Sequence, residues 1–104
     1  MSEFKVGESS FKCRYLFSKD LIDDAKTKGI RLHRQASDKD FDDAFVTFVC
    51  ENVVYDWANI YDLDDNELDF DTDYLYQIFE NHPKIFINLL RYCSKADNFE
   101  LVSA

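Results

Sequence analysis

Glycine occurs twice in this chain of 104 residues and proline once. A sandwich or barrel needs many more turn-forming residues, so the shortage favours helices over a turn-rich all-β fold. No apolar run approaches the ~20 residues needed to span a bilayer. The opening MSEFKVGESS has no apolar stretch of the kind that marks a signal peptide, and a cytoplasmic protein is expected. Cys13, Cys50 and Cys93 are odd in number and far apart, which argues against a disulfide framework and against a zinc site. Gly7 and Gly29 stand alone, so no glycine-rich phosphate loop exists to support NTP-driven chemistry. Basic residues are missing from one whole region, because no Lys or Arg lies between Lys39 and Lys84.

That gap makes the charge uneven. Residues 1–40 carry nine Lys and Arg against seven Asp and Glu, residues 41–80 carry twelve acids and no base, and residues 81–104 carry three bases and two acids. A middle region of this kind repels phosphates, so no nucleic-acid binding is expected, whereas a basic partner is compatible with it. Aromatics are what the chain holds in quantity: ten Phe, six Tyr and one Trp. With 46% hydrophobic residues, a net charge of −9 does not make the whole chain disordered. Large rings let a chain of this length build one modest core.

The expected fold is mainly α, a small single-domain bundle of about four helices with room for a short N-terminal β-strand or hairpin. Residues 11–99 form the domain in this reading, with loose tails at 1–10 and 100–104. In FKCRYLF, residues 11–17, apolar residues alternate with Lys12 and Arg14, which reads as a short strand or else as the first turn of a helix. Ser18 can cap a helix over 19–28, with Gly29 just past its end. Residues 30–34 are ambiguous. Ser37 followed by Asp40 is an acidic variant of the capping box, and Phe41, Ala44, Phe45, Phe48, Val49 and Val53 recur at helical spacing. A helix over about 38–56 follows from them. Asp71 or Thr72 caps a shorter helix ending near Asn81, with Leu75, Ile78 and Phe79 inward. Pro83 suits the first turn of a last helix, which runs to about Ala96.

Several residues invite chemistry. Asp62, Asp64 and Asn66 stand at positions 1, 3 and 5 of a calcium-loop pattern, but Glu67 replaces the glycine at position 6 and Asp73 the glutamate at position 12. A solvated turn explains them better. His33 and His82 have no metal-ligand spacing with any cysteine, and no catalytic motif is present, so neither an enzyme nor a cofactor is expected. Phe41, Phe45, Phe48 and Trp57 are core candidates. Tyr55, Tyr61, Tyr74 and Tyr76 divide evenly between packing and partner binding, because tyrosine recurs at interfaces.

The order of residues in the acidic stretch carries a further signal. A helix ends in Asp56-Trp57, Ile60 and an acidic turn at 62–65 follow, then Asn66-Glu67-Leu68-Asp69-Phe70, a short helix, a proline break, a last helix and Asn98-Phe99. This order, over about residues 40–99, resembles the tail assembly chaperones of long-tailed bacteriophages and prophages. The family often has Gly before the Asn and Pro after the Leu, where this chain has Asp65 and Asp69, and residues 1–36 match it poorly. The resemblance implies a non-enzymatic assembly factor that binds the tape measure protein and keeps it soluble while tail tube subunits polymerise around it. The implied partners are the tape measure protein and, beyond it, the tail tube protein, with self-association compatible with the role. The implied location is the cytoplasm of the bacterial host and not the mature virion. This chain would be the short form, or the shared N-terminal part of a longer form made by frameshifting. Trp57, Ile60, Leu68 and Phe70 are expected to pin the stretch between two helices. The rival function is an acidic, phage-encoded inhibitor that mimics nucleic acid and binds a basic host protein.

Overall fold

The first thirteen residues already alternate. Phe4 and Val6 point one way and Glu3 and Lys5 the other, followed by a two-residue turn at Gly7-Glu8. The computed structural model describes residues 2–32 and 43–99. In it, β1 (Ser2–Val6) pairs antiparallel with β2 (Ser9–Cys13) through that turn. Gly7 sits at the first turn position with φ of 61°, the left-handed value that a tight hairpin of this type reserves for glycine. A third strand, β3 (Val54–Ala58), pairs antiparallel with the other edge of β2 and completes a sheet in the order β1-β2-β3.

The register sorts side chains by face. Phe4, Phe11 and Trp57 form one cross-strand row, and Lys12 lies opposite Asp56 on the reverse face, where the two make an ion pair at 3.9 Å. Between Lys12 and Cys13 the pairing slips, leaving Tyr55 as the extra residue of a β-bulge.

The described residues include four α-helices. Ser18 caps α1 (Lys19–Thr27) by accepting from the Leu21 amide at 3.4 Å. The short α2 (Asp43–Phe48) runs directly into a π-helical turn at Val49–Val53. Asp71 caps α3 (Thr72–Asn81) by accepting from the amides of Asp73 and Tyr74. Pro83 opens α4 (Pro83–Cys93), and a 3₁₀ turn at Ala96–Phe99 follows. The Phe4 ring lies 5.6 Å from that of Tyr92, and Ser2 and Tyr92 share a hydrogen bond between hydroxyls, so α4 is fixed against β1. Phe79 stands at the centre of the core, 6.4 Å from Phe11 and 5.0 Å from Phe86, and Phe86 in turn meets Phe45 at 5.9 Å. No helix among the described residues is long and apolar enough to cross a membrane.

The expectation of a mainly α, all-helical bundle is therefore corrected: the fold is α+β, with a three-stranded antiparallel sheet beside its helices. The helix expected over 38–56 ends at Val53 within the described residues, and Val54–Ala58 is a strand. Val54, Tyr55 and Trp57 are β-branched or aromatic and fit a pleated surface, and β2 offers an edge for them to pair with. The loose tail expected at 1–10 is occupied from Ser2 onward by β1, the hairpin turn and the start of β2. The Ser37–Asp40 cap, Phe41, His33 and residues 100–104 lie outside the described residues.

All three thiols are buried. Burial, with Glu51 alongside, pushes Cys50 up to about 12, and a hydrogen bond with Cys13 together with burial raises Cys93. Cys50 and Cys93 therefore stay protonated and unreactive in the folded chain.

Phe79 is fully buried against Phe11 of β2 and Phe86 of α4, so Phe79→Ala is expected to lower stability by about 3–5 kcal/mol in urea denaturation.

Candidate functional site

The acidic stretch after β3 is a compact structure in its own right. Residue 59 leaves the strand with φ of 60°, a left-handed value that asparagine tolerates. The Asn59 side-chain Nδ2 donates to the Glu8 carbonyl at 2.9 Å, and the Asn59 backbone carbonyl accepts from Ser9 Oγ at 2.8 Å, which ties the stretch to the first hairpin turn. The chain then folds back on itself. Tyr61 pairs with Glu67, and the Leu68 amide donates to the Ile60 carbonyl at 2.8 Å.

The tip of this fold-back is braced by one carboxylate. Asp62 Oδ1 accepts from the Asp64 amide at 2.8 Å and the Asn66 amide at 2.9 Å, while the Asp62 amide donates to the Asn66 carbonyl at 3.0 Å. Asp65 takes φ of 62° inside that loop. These hydrogen bonds, led by that from the Asn66 amide, hold the Asp62 carboxyl below its ordinary value. The acid that a calcium loop would use as its first ligand is thus an acceptor for its own turn. Among the described residues no group of three or more His, Cys, Asp or Glu is arranged to hold a metal ion.

Trp57 anchors the stretch from beneath. Its ring is buried in the cross-strand row, and its indole N–H donates to the Leu68 carbonyl at 2.8 Å. The Phe70 ring meets it edge-on at 5.2 Å and the Tyr74 ring at 6.0 Å. Asp56 Oδ1 accepts from the Trp57 amide at 2.9 Å, and Glu67 Oε1 accepts from the Asn59 amide at 3.4 Å. Asp56, Trp57, Ile60, Asn66, Glu67, Leu68 and Phe70 therefore belong to one unit. The stretch leaves a strand rather than a helix, which corrects the expectation that it joins two helices. Asn98 and Phe99 sit in another ring cluster: Asn98 Nδ2 donates to the Tyr92 carbonyl at 2.9 Å, and Phe99 packs 5.8 Å from Tyr15 and 5.7 Å from Tyr92.

The four candidate tyrosines separate. Tyr61 is 50% exposed and Tyr74 36%, so both reach solvent beside the acidic turn. Tyr76 is half-buried and donates to the Asp43 carboxylate, which pushes its hydroxyl up to about 12. Tyr55 is half-buried with its hydroxyl enclosed and the Arg14 guanidinium 5.8 Å from its ring centre. Leu63 was not singled out from sequence. It is fully exposed (104%) at the tip, flanked by Asp62, Asp64 and Asp65. Its apolar type amid four acids within 62–67 was the available signal. Tyr61, Leu63 and Tyr74 are thus the large hydrophobics exposed among the described residues, with Tyr61 and Leu63 inside the acidic stretch and Tyr74 against Trp57.

Because the folded-state value of Asp62 is depressed, its stabilisation of the turn is complete above the ordinary carboxylate range and is lost as pH falls through the depressed value. The Asn66 amide resonance is expected to hold its position from neutral pH to about 4, the ordinary aspartate range, and to move only below that, and Asp62→Ala should abolish the transition.

Comparison with family models, with curated proteins and with solved structures gives no match, so residue order and geometry carry the functional reading.

Proposed function

We propose that this chain is a non-enzymatic tail assembly chaperone that holds a long, helical, apolar-rich tape measure protein in solution while the tail tube forms around it. The observation that carries this reading is a coincidence of place. Tyr61, Leu63 and Tyr74, the large hydrophobics exposed among the described residues, stand on or beside the acidic unit whose residue order resembles that family. A chaperone without NTP chemistry holds its client by reversible apolar contact, and tyrosines provide contact area at low entropic cost. Carboxylates around those side chains keep the complex soluble and attract basic clients.

The nucleic-acid mimic is less well supported. Mimicry needs carboxylates arrayed outward at phosphate-like spacing. Asp62 turns toward the amides of Asp64 and Asn66, Asp71 toward those of Asp73 and Tyr74, and Asp56 toward the Trp57 amide and Lys12.

Co-expression with the tape measure protein of the same genome tests the proposal. The client is expected to remain soluble only when this chain is present. Replacing Tyr61, Leu63 and Tyr74 together by Ser should remove most of that rescue, whereas Asp64→Asn with Asp65→Asn and Asp69→Asn should weaken it much less. Loss of rescue from the charge changes alone would overturn the apolar mechanism. A genome with no long helical gene downstream would overturn the function itself.

A further inference from the structure

We propose that the open edge of β1 pairs with the same edge of a second copy of this chain, antiparallel and centred on Phe4, so that the two sheets become continuous across a two-fold axis. The inference goes beyond the chaperone reading and does not rest on it. β1 and β3 are the two edges of the sheet, and the chain treats them differently. At β3 the Trp57 amide is taken up by Asp56 Oδ1 at 2.9 Å, and the Asn59 amide, just past the strand, by Glu67 Oε1 at 3.4 Å. The chain's own side chains thus occupy that edge. β1 has no such cover among the described residues. Its two-residue turn closes on Val6 and Ser9, which exchange both ladder bonds, so alternation turns the amides and carbonyls of Glu3 and Lys5 away from β2. The same alternation, carried across Phe11, turns the Trp57 amide outward. Neither the Glu3 nor the Lys5 amide has a partner among the described hydrogen bonds, and both side chains are exposed. An edge of this kind is a template for another strand.

Charge and register select a second copy as the occupant. An antiparallel partner must set its outward-facing backbone groups against those of Glu3 and Lys5. Centred on Phe4, two copies of β1 place Glu3 opposite Lys5 of the partner subunit, and the two-fold axis repeats that pair. Each such pair exchanges both amide–carbonyl bonds and sets opposite charges side by side on the exposed face. The neighbouring registers that keep the alternation are centred on Glu3 or on Lys5, and each puts like charges directly opposite, which is destabilising. Phe4 itself, half-buried in the single chain, meets its own copy in the non-hydrogen-bonded position, where side chains approach closest. The net charge of −9 does not oppose this contact. Residues 1–12 hold two acids and two bases, and α4, joined to β1 through Phe4 and Tyr92, carries Lys84 and Arg91 and no acid. The acidic stretch follows β3, at the other edge of the sheet. A strand of five residues covers less area than a permanent dimer needs, so the expected dimer is weak and concentration-dependent.

The test uses the whole chain in sedimentation equilibrium and in ¹⁵N-edited NMR over a concentration series. A monomer–dimer equilibrium is expected below about 1 mM, with the Glu3 and Lys5 amides shifting and gaining exchange protection as the dimer fills. In a sample mixed from labelled and unlabelled chains, an intermolecular NOE between the two Phe4 Hα protons is expected from the register. Glu3→Lys and Lys5→Glu, each alone, should weaken the dimer roughly tenfold, because both cross-strand pairs become repulsive. Lys5 lies opposite the neutral Ser10 on β2, so Lys5→Glu is the change that costs the hairpin least. Mixed in equal amounts, the two single variants should pair with each other about as well as wild type pairs with itself. A monomer at every concentration up to that limit would overturn the proposal, as would a dimer that leaves the Glu3 and Lys5 amides unshifted. Single variants that dimerise as well as wild type would do the same, as would a mixture that pairs no better than either variant alone.

Discussion

The Trp57 indole meets the sheet, the acidic fold-back and the start of α3. Its ring lies across from Phe11 in the sheet, its N–H is taken up by the Leu68 carbonyl, and Phe70 and Tyr74 close on its faces and edges. A buried indole needs a partner for its one donor, and only a returning backbone supplies it here. That requirement brings residues 59–70 back over the strand they have just left. It places Asp71 where it can cap α3, and α3 then delivers Leu75 and Phe79 to the core.

With the backbone held in this way, the carboxylates of the stretch divide into two groups. Asp56, Asp62 and Asp71 act locally, as acceptors for amides within four residues of themselves. Asp64, Asp65 and Asp69 are exposed and have no such role among the described hydrogen bonds, so they are free to set the charge around Leu63 and Tyr61. Turn bracing thus holds a leucine in water on a defined backbone. A side chain presented in that way loses little further entropy when a partner covers it, which is the physical basis for reading this surface as a place of contact.

Much of the helical part was legible. Ser18, Asp71 and Pro83 each begin the helix that their chemistry predicts, and Gly29 follows α1 with φ of 70°. The sheet was not, for two separate reasons. In β1 the alternation of Phe4 and Val6 with Glu3 and Lys5, and Gly7 at a turn position, were present but short and terminal. In β3 the helical spacing of Phe45, Phe48, Val49 and Val53 continues to the residue before the strand, because the π-helical turn keeps Val49, Cys50 and Val53 in the core. Periodicity alone could not show where that run stops. The cluster Val53, Val54, Tyr55 and Trp57 was the counter-signal, and it decides only once β2 is available to pair with. The residues that build the site were legible as an ordered set, but Leu63 was not, since an apolar residue in a turn looks the same whether buried or exposed.

Hydrogen exchange on wild type and Trp57→Phe measures the central constraint most directly. Phenylalanine keeps a ring in the cross-strand row and removes only the donor to Leu68 and part of the contact area. The Asp62 and Leu68 amides, which close the fold-back, are predicted to lose most of their protection, while amides in α4 such as Leu89 and Leu90 keep theirs relative to global stability. Unchanged protection at Asp62 and Leu68, or a loss spread evenly over the molecule, would contradict the role assigned to Trp57.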